Sequence, residues 1–442
     1  MSGFVYLYVG PHEVYELFDS IENELLAVFR DDMLVKSIGS VKERYGNEYQ
    51  ISADRPEILE EFEFRAPGYA IAQRLDCMGA DGAAALACLD KQVGKNARVY
   101  SSLEKSDNEQ DAQIVARSKF MRALTPHRWL EFFAKSVPSE PENYLKHPES
   151  SESMLFELRD WDQRLALRLV LLALPDAEVV LDITDIKDDA SRLREDEAAV
   201  LASNAAQVIR GTGIHAPVVV LTEGRTDAEF LSAGLQVLYP HLTDLIRFLD
   251  YERKPEGGVS ASVRMVRAFA AAGIVNRIVA VFDNDTAAAD GLRVLDQATL
   301  PPQIQIIRYP DLALARQYPT LGPPTAEAST SSVSLADING LACSIELYLG
   351  KDILSRPDGS FYPVQWKSFM PGINRYQGKV IGKADIHDAF RAKYARALGK
   401  PSTSQDEDWD GIRLILDAIR DAALAAFDGA EGSGGHPWRL IH

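Results

Sequence analysis

Only three of the 442 residues are cysteine (Cys77, Cys88 and Cys343), and they make neither a CxxC pair nor an even-numbered framework. That excludes a disulfide-stapled secreted domain and a cysteine zinc site, and makes a reducing cytoplasm the expected compartment. Histidine is also sparse. None of the eight stands in an HxxxH or HxH pair, which speaks against zinc. Long apolar runs are missing too. The most apolar one, Leu165–Leu174, is interrupted by Arg168 and stopped by Pro175. It is about half of the ~20 residues a membrane span needs, so a buried helix is predicted and no membrane partner. Met1–Gly10 has no basic region ahead of an apolar run, so no signal peptide is readable. Internal repeats and Ser or Cys nucleophile motifs are absent. The Walker-like string Gly372–Val380 has one residue too many between its glycines and no Ser/Thr after Lys379.

Positive charge is in short supply: 47 Lys/Arg against 65 Asp/Glu leave a net −18. Over the whole chain this argues against nucleic-acid binding, because phosphate contacts need cations. The balance is uneven, however. Gly340–Lys400 holds ten Lys/Arg and five Asp/Glu, net +5, interleaved with Tyr348, Phe361, Tyr362, Trp366, Phe369 and Tyr376. These aromatics suit either core packing or stacking on bases.

The length predicts two or three domains. Polar segments at 135–153, 318–334 and 400–410 punctuate the chain, the second expected as a long loop. Before residue 205 the pattern is α+β, with a weakly alternating Phe4–Val9 and helices over Pro126–Ala134, Trp161–Leu174 and Glu195–Arg210. From His215 strands and helices alternate. Apolar strands are predicted at Pro217–Thr222, Leu245–Leu249, Arg277–Phe282 and Gln303–Arg308. Helices are predicted between them at about Asp227–Val237, Val259–Ala272 and Ala287–Ala298. Continuous apolar strands separated by helices indicate a parallel sheet covered on both faces, hence an α/β fold.

In such sheets ligands gather at the carboxyl ends of the strands. Here those ends carry acids: Glu223 and Asp227 after the first strand, Asp283 and Asp285 after the third. Neighbouring strands would bring three or four carboxylates within reach of one hard cation, Mg²⁺ or Mn²⁺. A plainer role is open to several of them. Thr226-x-x-Glu229 is a capping box, Asp227 suits a helix N-terminus, and Asp283 or Asp285 could cap the next helix. An EF-hand is excluded, because Ala287 and Val294 stand at its fifth and twelfth positions and no Gly at its sixth. Further on, Asp337–Tyr348 reads as a helix with Glu346 near its middle. Gly378–Ile381 leads into Gly382-Lys383 and a helix over about Asp385–Tyr394.

A Glu after the first strand and Asp-x-Asp after the third resemble the Toprim domain of topoisomerases, primases and several nucleases. The later Glu346 and Lys383 look like the additions made by overcoming-lysogenization-defect (OLD) nucleases. Lys379 competes with Lys383, which is preferred because it opens a helix. OLD proteins carry an ATPase before the Toprim part, and no such domain is legible here. Residues 64–69, 74–79 and 124–129 instead resemble the N-terminal region that accompanies Toprim or HEPN domains in bacterial defence proteins.

The resemblance implies a HEPN/Toprim-associated α+β domain over 1–205, a Toprim domain with flanking helices over 206–395, and a C-terminal helix and tail over 396–442. It implies a Mg²⁺- or Mn²⁺-dependent endonuclease acting in anti-phage defence, with Glu223, Asp227, Asp283, Asp285 and Glu346 on the metal. Glu223, Asp283, Asp285 and Lys383 would be catalytic. Expected partners are DNA or RNA, a separate ATPase and a second copy of the chain. Arg122-x4-His127 fits the spacing of HEPN ribonucleases, but Pro126 would break the helix that this pair needs. Two rival functions are a primase- or topoisomerase-like enzyme and a degenerate Toprim protein that only binds and regulates.

Overall fold

Period-two alternation opens the chain: Val5, Leu7 and Val9 are wholly buried while Phe4, Tyr6 and Tyr8 are half-buried, which makes strand β1 (Phe4–Val9). The computed structural model describes residues 4–18, 21–40, 58–100, 109–137, 149–188, 195–211, 215–249, 257–295, 298–322, 333–398 and 407–431. Of the expected polar segments, residues 138–148, 323–332 and 400–406 lie outside these. The chain divides into two units, Met1–His215 and Ala216–His442. Among the described residues no helix is long and apolar enough to cross a membrane.

In the first unit β1 joins β2 (His12–Phe18), β3 (Leu34–Ser40), β4 (Ile58–Pro67) and β5 (Glu178–Asp182) in an antiparallel sheet ordered β2-β1-β5-β4-β3. The helices Gly68–Cys77 and Gln163–Ala173 pack together, close enough that a Cβ on Gly68 would stand 2.9 Å from the Leu171 side chain. The apolar run around Leu167 is thus a buried helix. Residues that carry the N-terminal resemblance build this core. Arg74, fully buried, donates to the carbonyls of Val28, Ala27 and Phe29, and Trp129 stacks on Phe133 at 4.8 Å. The helix expected over Glu195–Arg210 is broken into Glu195–Ala198 and Leu201–Arg210, because Val200 leaves helical geometry (φ −124°, ψ 14°).

The second unit is built on four parallel strands, β6 (Val218–Leu221), β7 (Ile246–Phe248), β8 (Ile278–Phe282) and β10 (Ile304–Arg308), ordered β10-β8-β6-β7. All five residues of β8 are buried, as a central strand covered on both faces requires. Leu221, Ala280, Phe282 and Ile304 pack with Val263 and Val266 of helix Val259–Ala271 and Ala288 of helix Thr286–Leu292. Helix Asp410–Glu431 lies against β8 and β10, and its Ile412 meets Gly234 of helix Arg225–Leu238.

Two further pairings matter for the site. Strand β9 (Asn284–Asp285) pairs antiparallel with β13 (Ala342–Cys343). Beside them β11 (Tyr318–Leu321), β12 (Val333–Ala336), β14 (Val364–Met370) and β15 (Arg375–Val380) form a sheet ordered β12-β11-β14-β15. Two expectations are corrected here. The segment 318–334 is not wholly loop: its ends are β11 and the start of β12, and Tyr318 and Thr320 are buried at alternate positions. Asp337–Tyr348 is not a helix. Gly340 turns the backbone at φ +71°, Ala342 and Cys343 bond to β9, and only Ile345–Tyr348 coils, as a 3₁₀ turn. Backbone partners in the β9 ladder outcompeted local helical propensity.

Candidate metal centre

The parallel register sets Val220 beside Val279 and Leu221 beside Ala280, so β6 and β8 release the chain at neighbouring points on one sheet edge. Glu223 and Asp283 are the residues released there. Glu223 Oε1 accepts from the Asp283 backbone N–H at 3.0 Å. Asp285 is two residues on, and the β9–β13 ladder draws in the segment carrying Glu346. Helix Arg225–Leu238 brings Asp227, and helix Lys383–Leu398 brings Lys383 and, one turn later, His387.

Four carboxylates are engaged by protein donors. Asp227 accepts from the Tyr309 hydroxyl at 2.7 Å. Asp285 caps helix Thr286–Leu292 through the Ala288 N–H at 2.8 Å and accepts from Gln377 Nε2 at 2.6 Å. Glu346 takes the Lys383 ammonium at 2.8 and 2.9 Å, lies 2.9 Å from His387 Nε2 and accepts from the Ser344 hydroxyl. Asp283 is the exception: its Oδ1 is out of reach of solvent and has no hydrogen-bond partner.

The electrostatics follow from this packing. Burial, then the charges of Asp227, Glu223, Asp285 and Glu346, push Asp283 well above the usual carboxylate range. Glu223 is pushed up to about 8, chiefly by burial, with Asp285 and Asp227 adding to it. Asp227 rises to about 6 through burial and the charge of Glu346, against the Tyr309 hydrogen bond. Glu346 behaves oppositely. Burial works upward on it, but His387, Lys383 and Ser344 outweigh that and hold it at about 2. Five acids therefore share one edge, and the central one has no proton donor and no counter-charge in contact.

The simpler roles divide among the acids. The capping box is not formed: helix Arg225–Leu238 starts at Gly224 with no side-chain cap, and Glu229 pairs with Arg391 at 2.7 Å. Asp285 does cap its helix. Lys379 is exposed on β15, whereas the charge of Lys383 acts on Glu223, Asp227 and Glu346. Arg122 and His127 fall on two helices, Glu109–Ala123 and Pro126–Phe133. The His127 ring is 82% exposed beside Glu131. The helix break at Pro126 keeps them from sharing a face. Sequence reasoning passed over Tyr309, His387 and Gln377. Tyr309 directly follows β10, so the strand-end rule would have found it. His387 lies one turn from Lys383. Gln377 carries no local signal.

Among the described residues, no three carboxylate, thiol or imidazole groups already stand as a ligand shell. What fits a hard divalent cation is the donor chemistry of Glu223, Asp227, Asp283 and Asp285 together with the orphaned, charge-crowded Asp283.

Residues 1–199 match the family model described as HEPN/Toprim N-terminal domain 1, so the chain carries a HEPN/Toprim-associated N-terminal domain. No curated protein and no solved structure matches the chain.

Proposed function

We propose that this chain is a Mg²⁺- or Mn²⁺-dependent endonuclease of Toprim type, resembling the OLD nucleases, with its catalytic centre at the β6–β8 edge. The observation that carries this reading is the solvent-inaccessible, unpartnered Oδ1 of Asp283, in the field of Glu223, Asp227, Asp285 and Glu346. Clustered buried acids are costly unless a cation compensates them. The HEPN/Toprim-associated domain over 1–199 supports a nuclease-related setting. The proposal extends to a role in anti-phage defence, in the cytoplasm, with a separate ATPase and a second copy of the chain as partners, all of which rest on the resemblance to OLD nucleases and defence proteins.

Asp283, Glu223, Asp227 and Asp285 would hold the ion, and Glu346 joins them only by giving up Lys383 or His387. Bound there, the cation supplies Lewis acidity toward a phosphodiester and a water. The residues do the rest. Tyr309 fixes the Asp227 rotamer, and Gln377 fixes that of Asp285. Glu346 anchors the Lys383 ammonium, whose positive charge offsets the charge that develops on the phosphorane or leaving oxygen.

Pure protein incubated with plasmid, single-stranded DNA and tRNA under Mg²⁺, Mn²⁺ or EDTA tests the reading. Cleavage is expected with either metal, none with EDTA, and none with Asp283→Asn. Metal-independent cleavage, or full activity in D283N, refutes it.

A further inference from the structure

Residues 364–383 contain Lys367, Arg375, Lys379 and Lys383 and not one acid, in a chain of net charge −18. They span the antiparallel hairpin β14–β15 and the start of the helix that carries Lys383. The structure also sorts the six aromatics of this basic region. Tyr348 is fully buried, Phe361 stacks on buried Tyr318, Tyr362 lies under Arg356, and Trp366 is half-buried. Phe369 and Tyr376 differ. They are cross-strand partners in the hairpin, 45% and 39% exposed, with ring centroids 5.1 Å apart. These paired aromatics are left in water on a hairpin whose own charged residues are Lys367, Arg375 and Lys379, all exposed, and neither ring seals a core.

The hairpin is fastened to the acid cluster. Thr286 Oγ1 donates to the Tyr376 carbonyl at 2.7 Å. Gln377 accepts from the Ala287 N–H at 2.9 Å while its Nε2 donates to Asp285. At the other end Arg293 donates to the Gly372 carbonyl at 3.1 Å, next to the turn where Asn374 takes the left-handed conformation (φ 54°). A polymer lying on this hairpin is therefore held a few residues from Asp283 and Asp285.

We propose that β14–β15 is the docking surface for an unpaired nucleic-acid strand. Phe369 and Tyr376 stack on its bases, and Lys367, Arg375 and Lys379 contact its phosphates. Stacking requires bases freed from a duplex, and a hairpin whose own charges are all positive matches a polyanion. The proposal rests on the nuclease reading for its purpose but not for its test.

The full chain is held in EDTA, so that no cleavage occurs, and titrated against labelled single strands of DNA and of RNA and a duplex of the same length. One of the single strands should bind more tightly than the duplex. Phe369→Ala with Tyr376→Ala should weaken that binding about 10-fold or more, at unchanged salt dependence and melting temperature. Lys367→Gln with Lys379→Gln should lower the slope of log affinity against log salt by about 0.7 per lysine. If the aromatic variant binds as the unmodified chain does, or the duplex binds best, the proposal is overturned. Binding that depends on Phe369 and Tyr376 without metal-dependent cleavage keeps the hairpin and sinks the nuclease. Metal-dependent cleavage with unaltered binding in the aromatic variant does the reverse.

Discussion

Asp285 serves two purposes, and a single substitution separates them. It caps helix Thr286–Leu292 and it faces the acid cluster. Serine caps almost as well as aspartate, so Asp285→Ser should change stability by no more than about 0.5 kcal/mol. Cleavage should fall with it, because serine brings no charge to a cation. A denaturant melt beside a cleavage assay checks both; loss of stability with activity kept would leave Asp285 as a cap only. Glu223 is a residue-scale matter of pH. Its folded-state value, about 8, lies above the ordinary 4.5. Its contribution to stability is therefore full below pH ~4.5 and is lost as pH rises toward 8. In EDTA, Glu223→Gln, which cannot ionise, should gain melting temperature over the unmodified chain steadily between pH 5 and 8.5. Added Mg²⁺ should shrink the gap, since a cation bound only to the folded ionised site stabilises it. A constant difference across that range would mean Glu223 does not titrate there.

At the scale of elements, helix Lys383–Leu398 delivers an ammonium and an imidazole to one acid. Lys383 and His387 are four residues apart, so both meet Glu346 from the same face, and the His387 ring stands edge-on to Phe230 at 5.1 Å. Lys383→Ala should leave the fold intact, because His387 and Ser344 still serve Glu346. Turnover should drop about 10²–10³-fold, the usual cost of one charge-stabilising donor. Single-turnover kinetics with saturating metal would check this; a purely structural lysine would leave the rate unchanged and lower the melting temperature instead. Strand–helix alternation and the position of acids at strand ends were legible because apolar runs and their terminators are local. The 318–334 and 337–348 errors share a cause. Both segments take their geometry from partners elsewhere in the second unit, β14 for one and β9 for the other.

For the whole molecule the question is which unit does chemistry. In Met1–His215 the candidate catalytic pair offered by the sequence, Arg122 and His127, is set on separate helices with the histidine ring in water. In Ala216–His442 five acids and a lysine converge. His127→Ala should therefore cleave at the unmodified rate, while Asp283→Ala should be inactive, measured together on one substrate. An inactive histidine variant beside an active aspartate variant would transfer catalysis to the first unit.

The sequence alone determined the α/β character of the second unit and that Glu223, Asp283 and Asp285 stand at strand ends. Both follow from patterns only a few residues wide. Tertiary structure decided which groups answer those acids: Tyr309 for Asp227 across 82 residues, Gln377 for Asp285 across 92, Lys383 and His387 for Glu346 across 37 and 41. It also decided that Asp283 would be left without a partner. Burial and hydrogen bonding at such separations depend on how the sheets and helices pack, and no local pattern encodes that.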